Sequence, residues 1–174
     1  MMDKGMKKRW ISLYVENQVG VLSKISGLFS GKSYNLDSLT VGTTEDPTVS
    51  RMTIATVSDD ETFEQIKKQL AKLVDVRDIK ELKPDESVRR ELMLVKIRVN
   101  ENERRNVIAI SDVFRGRIVD VGQESLIVEI TGNQSKVDAC INLLSNYEIL
   151  ELARTGIAGL GRGTGNVVYL DPLE

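Results

Sequence analysis

The feature that most constrains this chain is an order of periodicities, strand-like, helical, two strand-like, helical, strand-like, that runs through once, meets a short polar break and then returns. Lys8 to Glu16 alternate, with Ile11, Leu13 and Val15 on one face and Ser12, Tyr14 and Glu16 on the other, the period of two that a strand requires. A loop follows at Asn17 to Gly20, and then Val21, Leu22, Ile25, Leu28 and Phe29 recur at helical spacing up to Gly31, where a helix would stop. Tyr34 to Val41 and Arg51 to Val57 read as an antiparallel hairpin around Gly42-Thr43-Thr44-Glu45-Asp46-Pro47, a run of turn-forming residues. Phe63, Ile66, Leu70 and Leu73 mark a second helix opened by Asp59, Asp60 and Glu61, acids that suit the positive end of a helix dipole. Val74 to Leu82 closes the unit as a fourth strand.

Lys83-Pro84-Asp85-Glu86-Ser87 then breaks both periodicities, and the same order returns: a strand at Leu92 to Val99, and a helix marked by Val107, Ile110, Val113 and Phe114. Arg117 to Val121 and Leu126 to Ile130 form a hairpin, Val137, Cys140, Ile141 and Leu144 mark a helix, and Glu148 to Ala153 is the closing strand. The order βαββαβ is that of a ferredoxin-like sandwich, so the fold expected is α+β, two such sandwiches in tandem. The boundaries expected are 1–83 for the first domain, 84–88 for a linker, 89–155 for the second domain and 156–174 for a glycine-rich, mobile tail. At one constant offset Asn17 meets Asn102, Phe29 meets Phe114 and Gly31 meets Gly116, as in two diverged copies. On that offset Asn17-Gln18-Val19-Gly20 becomes Asn102-Glu103-Arg104-Arg105, so a site needing open backbone at the helix entrance is expected in the first copy only.

Composition narrows the functions. A 174-residue chain that is 41% hydrophobic can bury a core, and 24 Lys and Arg against 26 Asp and Glu give no excess of positive charge for nucleic acid or anionic lipid. No apolar stretch approaches the ~20 residues needed to cross a bilayer, and no apolar run follows the charges of the N-terminus, so a cytoplasmic chain without membrane contact is expected. The single cysteine, Cys140, cannot form an internal disulfide, and it falls on the apolar stripe of its helix. The chain has no histidine, which removes the commonest general base at neutral pH and the usual activator of a serine or cysteine nucleophile. No catalytic residues and no metal site are assigned, and independent enzymatic activity is not expected.

The candidate site is the entrance to the first helix. A helix N-terminus offers unpaired N–H groups, and a glycine there lets a carboxylate come close, as Gly20 with Val21 and Leu22 would allow. The other reading is that Gly20 supplies a left-handed turn and Asn17 caps the helix. A helix end gives a carboxylate only ~0.3–1 kcal/mol against the ~8 kcal/mol of micromolar binding, so a ligand would need enclosure by a second surface. A sheet edge pairing with a second copy could bring one, with Asn35 and Leu36 from the neighbouring chain completing the pocket. Gly156, Gly159, Gly161, Gly163 and Gly165 resemble a phosphate loop only superficially, because neither a Lys-Ser or Lys-Thr pair nor a helix follows them.

Glu16-Asn17 followed by Gly20-Val21-Leu22, Gly27-Leu28-Phe29, Tyr34-Asn35, Ser38-Leu39-Thr40-Val41 and Ser50-Arg51-Met52-Thr53-Ile54 resemble the regulatory small subunit of acetolactate synthase, also called acetohydroxyacid synthase. The likeness continues through Lys72 to Val76, Glu91 to Lys96, Phe114-Arg115-Gly116, Arg154-Thr155-Gly156 and Gly161-Arg162-Gly163. The resemblance implies that the first domain is an ACT domain, an amino-acid sensor, and that the chain forms a homodimer through it. It further implies a catalytic large subunit that carries thiamine diphosphate, magnesium and FAD, none of them bound by this chain. That partner serves branched-chain amino-acid biosynthesis, and the small subunit raises its activity and confers feedback inhibition by valine or a related amino acid. The family's effector residues carry over to Asn17, Gly20, Val21 and Leu22 of one chain and Asn35 and Leu36 of its neighbour. One departure is Ser33, where the family commonly has glycine, since serine disfavours positive φ. The competing reading is a free-standing ACT-type sensor acting on another protein.

Overall fold

Alternation in Lys7–Glu16 (β1) drives Ile11, Leu13 and Val15 into a core where none of them retains any exposure. They meet Val21, Ile25 and Phe29 of Val21–Gly31 (α1), Met52 and Ile54 of Val49–Ser58 (β3), and Phe63, Ile66 and Leu70 of Asp60–Ala71 (α2). Each such side chain contributes roughly 1.5–3 kcal/mol by leaving water. With Ser38–Thr43 (β2) and Val76–Glu81 (β4) the strands form one antiparallel sheet in the order β2-β3-β1-β4, the ferredoxin-like arrangement expected. This computed structural model describes residues 5–165 and 167.

The chain divides into two compact units: one runs up to Val88 and resumes at Ala158, and the other is Arg89–Ile157. The second repeats the pattern with Ser87–Arg98 (β5), Glu101–Val113 (α3), Arg117–Val121 (β6), Ser125–Gly132 (β7), Gln134–Leu144 (α4) and Glu148–Arg154 (β8), its sheet ordered β6-β7-β5-β8. Its core joins Met93, Val95 and Ile97 to Val107, Val128, Ile130, Val137 and Leu144, and it includes Cys140. Burial pushes the Cys140 thiol pKa up, which keeps it protonated and inert.

Several expectations need correction. β2 opens at Ser38 rather than Tyr34, because Tyr34 finishes the helix turn: its N–H donates to Phe29 O and its ring meets Phe29 edge-on at 6.0 Å. β4 opens at Val76, since Val74 stands almost fully exposed in a turn. Ser87, read as part of the break, already belongs to β5 and is buried there.

The offset that aligned Asn17 with Asn102 and Phe29 with Phe114 is three residues too long. Ile11, Leu13 and Val15 correspond in the core to Met93, Val95 and Ile97, and the bulge between Tyr14 and Val15 recurs between Lys96 and Ile97. Phe29 is an interior helix residue whereas Phe114 is a C-cap, and Gly31 and Gly116 are not equivalent either. The fold repeats, but those three identities are coincidences of register.

The segment expected as a glycine-rich, mobile tail contains a strand, Ala158–Gly161 (β9), which pairs with β5. Its backbone is held at two points: the Arg162 N–H donates to Glu86 O at 2.8 Å, and the Arg51 side chain donates from Nη2 to Gly159 O at 3.1 Å. Leu160 stays exposed, so the strand leaves no apolar alternation in the sequence to reveal it. The end of the tail, 168–174, lies outside the described residues.

Candidate functional site

All four helices among the described residues need their N-terminal N–H groups satisfied, and three solve the problem with a side chain. Asp59 accepts from the Thr62 N–H at the start of α2, Asn133 accepts from the Lys136 N–H at the start of α4, and Asn100 forms a full capping box with Glu103 at the start of α3. α1 has Gly20 in that position, at φ 90° and ψ −10°, with no side-chain cap. The Val21 N–H meets Gln18 O at 3.4 Å, whereas the Leu22 and Ser23 N–H groups have no partner among the described residues, and the left-handed φ explains why the capping residue is glycine. A Cβ added there meets nothing within 4 Å, so the backbone lies open to an incoming group.

Asn17 does not cap the helix. Its N–H donates to Thr48 O and its Nδ2 donates to Pro47 O, both at 2.8 Å, which ties the loop after β1 to the turn before β3. Among the described residues its Oδ1 accepts no hydrogen bond, so it is available to an ammonium group. The turn itself is held by Asp46, whose carboxylate accepts from the Thr48 hydroxyl at 2.7 Å and the Thr48 N–H at 2.9 Å. These bonds hold the Asp46 pKa below its ordinary value. Nearby, Lys24 Nζ donates to Asp75 Oδ2 at 2.6 Å, and Arg77 donates two bonds to the Glu16 carboxylate, which raise the Arg77 pKa. Sequence reading missed this frame because Asn17 and Pro47 are thirty positions apart and no local pattern links them.

The six candidate residues separate into two groups. Asn17, Gly20 and Leu22 lie together and exposed at the α1 entrance, whereas Val21 is only 3% exposed and belongs to the core. The Val21 side chain is packed in the core and its N–H already donates to Gln18 O at 3.4 Å, so Val21 presents less to a ligand than its neighbours do. Asn35 and Leu36 precede β2 instead of opening it. Asn35 is anchored at the far end of β3, where its Oδ1 accepts from the Val57 N–H at 3.0 Å and its carbonyl accepts from the Thr56 hydroxyl at 2.6 Å. Nine residue steps along the strand separate Thr48, which holds Asn17, from Val57, which holds Asn35, roughly 30 Å at ~3.3 Å per step. A single chain cannot close both groups around one amino acid. Between the helix end and Asn35, Ser33 sits at φ 55°, in the left-handed region that its serine disfavours.

The α1 entrance offers N–H donors for a carboxylate, an amide oxygen for an ammonium and one exposed apolar side chain, Leu22. The second unit lacks it. Gly20 corresponds in the corrected register to Asn102, which is inside α3, and Asn100 and Glu103 already satisfy the first N–H groups of that helix. Among the described residues no group of three or more His, Cys, Asp or Glu side chains could hold a metal ion. No helix among them is long and apolar enough to cross a membrane.

Residues 11–78 match the AHAS small subunit-like ACT domain, and residues 90–163 match the small subunit of acetolactate synthase. A probable acetolactate synthase small subunit of Methanothermobacter thermautotrophicus is 46% identical over 155 residues, covering 88% of this chain and 92% of that one. The chain belongs to the acetolactate synthase small-subunit family. The isozyme 3 small subunit of Escherichia coli is likewise 46% identical, over 90% of this chain and 96% of its own length. The crystal structure of the acetolactate synthase small subunit from Thermotoga maritima superimposes with a TM-score of 0.84 at 41% identity, covering 91% of this chain and 99% of that one. As an acetolactate synthase small subunit, the protein is a regulatory component that implies a catalytic large subunit as its partner, and all six candidate residues fall within the matched ACT domain.

Proposed function

We propose that this small subunit senses valine or a related branched-chain amino acid at an ACT-domain site shared between two copies of the chain, and thereby sets the activity of the catalytic subunit. The observation that carries the reading is the α1 entrance at Gly20, the one helix start among the four in the described residues without a side-chain cap. The effector's carboxylate binds the first-turn N–H groups and its ammonium binds Asn17 Oδ1, while its side chain lies against Leu22 and the neighbour's Leu36.

The sheet topology supports a shared site. β2 is an edge strand, and a two-fold axis that pairs it with its copy runs the two strands antiparallel. The start of one β2, just after Asn35 and Leu36, then lies opposite the end of the other at Thr43. Thr43 pairs with Ser50, next to the turn that holds Asn17. The roughly 30 Å that separates the two groups within a chain is thus bridged between chains.

Binding regulates only if it favours one arrangement of the dimer, and a ligand that touches both chains does so. The large subunit is the cytoplasmic thiamine-diphosphate enzyme, with magnesium and FAD also bound there, and the small subunit raises its turnover and transmits inhibition. Acetolactate formation by the purified large subunit, measured with and without this chain and with valine titrated in, tests the reading. Stimulation followed by valine-dependent inhibition is expected. Unchanged turnover on adding the chain would refute the regulatory role, and stimulation that valine leaves untouched would refute the sensing role.

A further inference from the structure

A cavity of about 750 Å³ in the first unit lies away from the α1 entrance. Its walls come from the end of β4 and the break after it, from Tyr14 and Arg51 on the sheet, and from Leu160 to Gly163. The glycine-rich segment is thus one wall of a pocket.

The charges around the cavity do not cancel. Of its three acids, Glu86 is paired with Lys83 at 3.6 Å and Glu81 lies 3.8 Å from Arg9 and 3.9 Å from Lys67, which leaves Asp85 as the acid without an ion pair among the described residues. Of its cations, Arg51, Lys80 and Arg162 have no carboxylate partner among the described residues. Arg51 is also held in place: its guanidinium lies over the Tyr14 ring at 5.0 Å, and Nη1 donates to the Tyr14 hydroxyl at 2.8 Å. Its Nε is buried and has no hydrogen-bond partner among the described residues. A buried donor left unpaired costs about 1–3 kcal/mol, and the side chain that carries it lines the cavity.

We propose that this cavity is a second ligand site, taking a small, multiply charged anion of the diphosphate class. Arg51, Lys80 and Arg162 supply the charge, and Gly161 and Gly163, where an added Cβ meets nothing within 4 Å, leave the backbone open to phosphate oxygens. The volume lies in the range of ordinary small-molecule sites and exceeds what a single amino acid fills.

Calorimetric titration of the full chain with inorganic pyrophosphate at low ionic strength tests the proposal. One saturable site per chain is expected, weakened at least tenfold in the double variant Lys80→Gln/Arg162→Gln and unchanged in Gly20→Asp, whose lesion lies at the other site. Lys80→Gln and Arg162→Gln alone, each checked for an unchanged melting curve, should weaken it severalfold. Absence of saturable heat at millimolar pyrophosphate would overturn the proposal, as would equal affinity in folded variants.

Discussion

Replacing Gly20 with aspartate puts a second carboxylate at the place the proposed site assigns to the effector's own carboxylate. The backbone there has φ 90°, a conformation that costs a side-chain-bearing residue roughly 1–2 kcal/mol and that aspartate tolerates better than most. No atom lies within 4 Å of the new Cβ, so the fold has room for the substitution. Two carboxylates about 4 Å apart near a protein surface repel by about 4 kcal/mol at an effective dielectric constant of 20, several hundredfold in affinity. The new side chain also competes for the first-turn N–H groups. Gly20→Ala separates the effects, since it carries the backbone cost without the charge and should weaken valine binding by less than about tenfold. Calorimetry with valine on the wild type and both variants, beside thermal melts, reads the comparison. Valine affinity in folded Gly20→Asp within a few-fold of wild type would refute the placement of the carboxylate at this helix end.

Ser33→Gly relieves the left-handed strain at φ 55° and should raise stability by about 1 kcal/mol; an unchanged or lower melting temperature would contradict that reading. Arg154→Met leaves the Glu91 side chain, only 2% exposed, without the guanidinium that binds it. A loss of about 3 kcal/mol in urea denaturation follows, the low end for a broken buried pair because Arg154 itself is 30% exposed, whereas a loss under about 1 kcal/mol would mean that water already reaches the site. Because the folded state depresses the Asp46 pKa, the carboxylate's contribution is fully present above its ordinary value near ~4 and is lost as pH falls through the lower folded value. Asp46→Asn should therefore melt below wild type at neutral pH, with the gap closing only under strongly acidic conditions. A gap that stays constant as the pH is lowered to about 2 would show that the ionised carboxylate is not its cause.

The fold was legible wherever one face of an element is buried and the other is wet. Ile11, Leu13 and Val15 alternate because β1 has one face in the core, and Phe63, Ile66 and Leu70 keep helical spacing because α2 has one buried stripe. The entrance at Gly20 was legible because an uncapped helix start leaves a visible mark, a glycine where the other helices have Asp59, Asn100 and Asn133. Bonds between a side chain and a distant backbone atom leave no such mark. The anchoring of Asn17 to Pro47 and of Asn35 to Val57, and the docking of Gly159 on Arg51, are invisible in the sequence for that reason. The three-residue error in the repeat arose because matching residue identities outweighed matching burial, and only core contacts reveal that Val15 answers to Ile97.

The central claim is that each effector site draws Gly20 from one chain and Asn35 from another, and mixing two defective chains tests it most directly. Gly20→Asp homodimers and Asn35→Ala homodimers should each bind valine poorly. Unfolded together and refolded as a mixture, they form mixed dimers in which one site carries both lesions and the other carries neither. The account predicts that the mixture regains wild-type affinity, at about one site per mixed dimer. A mixture in which mixed dimers demonstrably form and valine binding does not return would contradict the shared site.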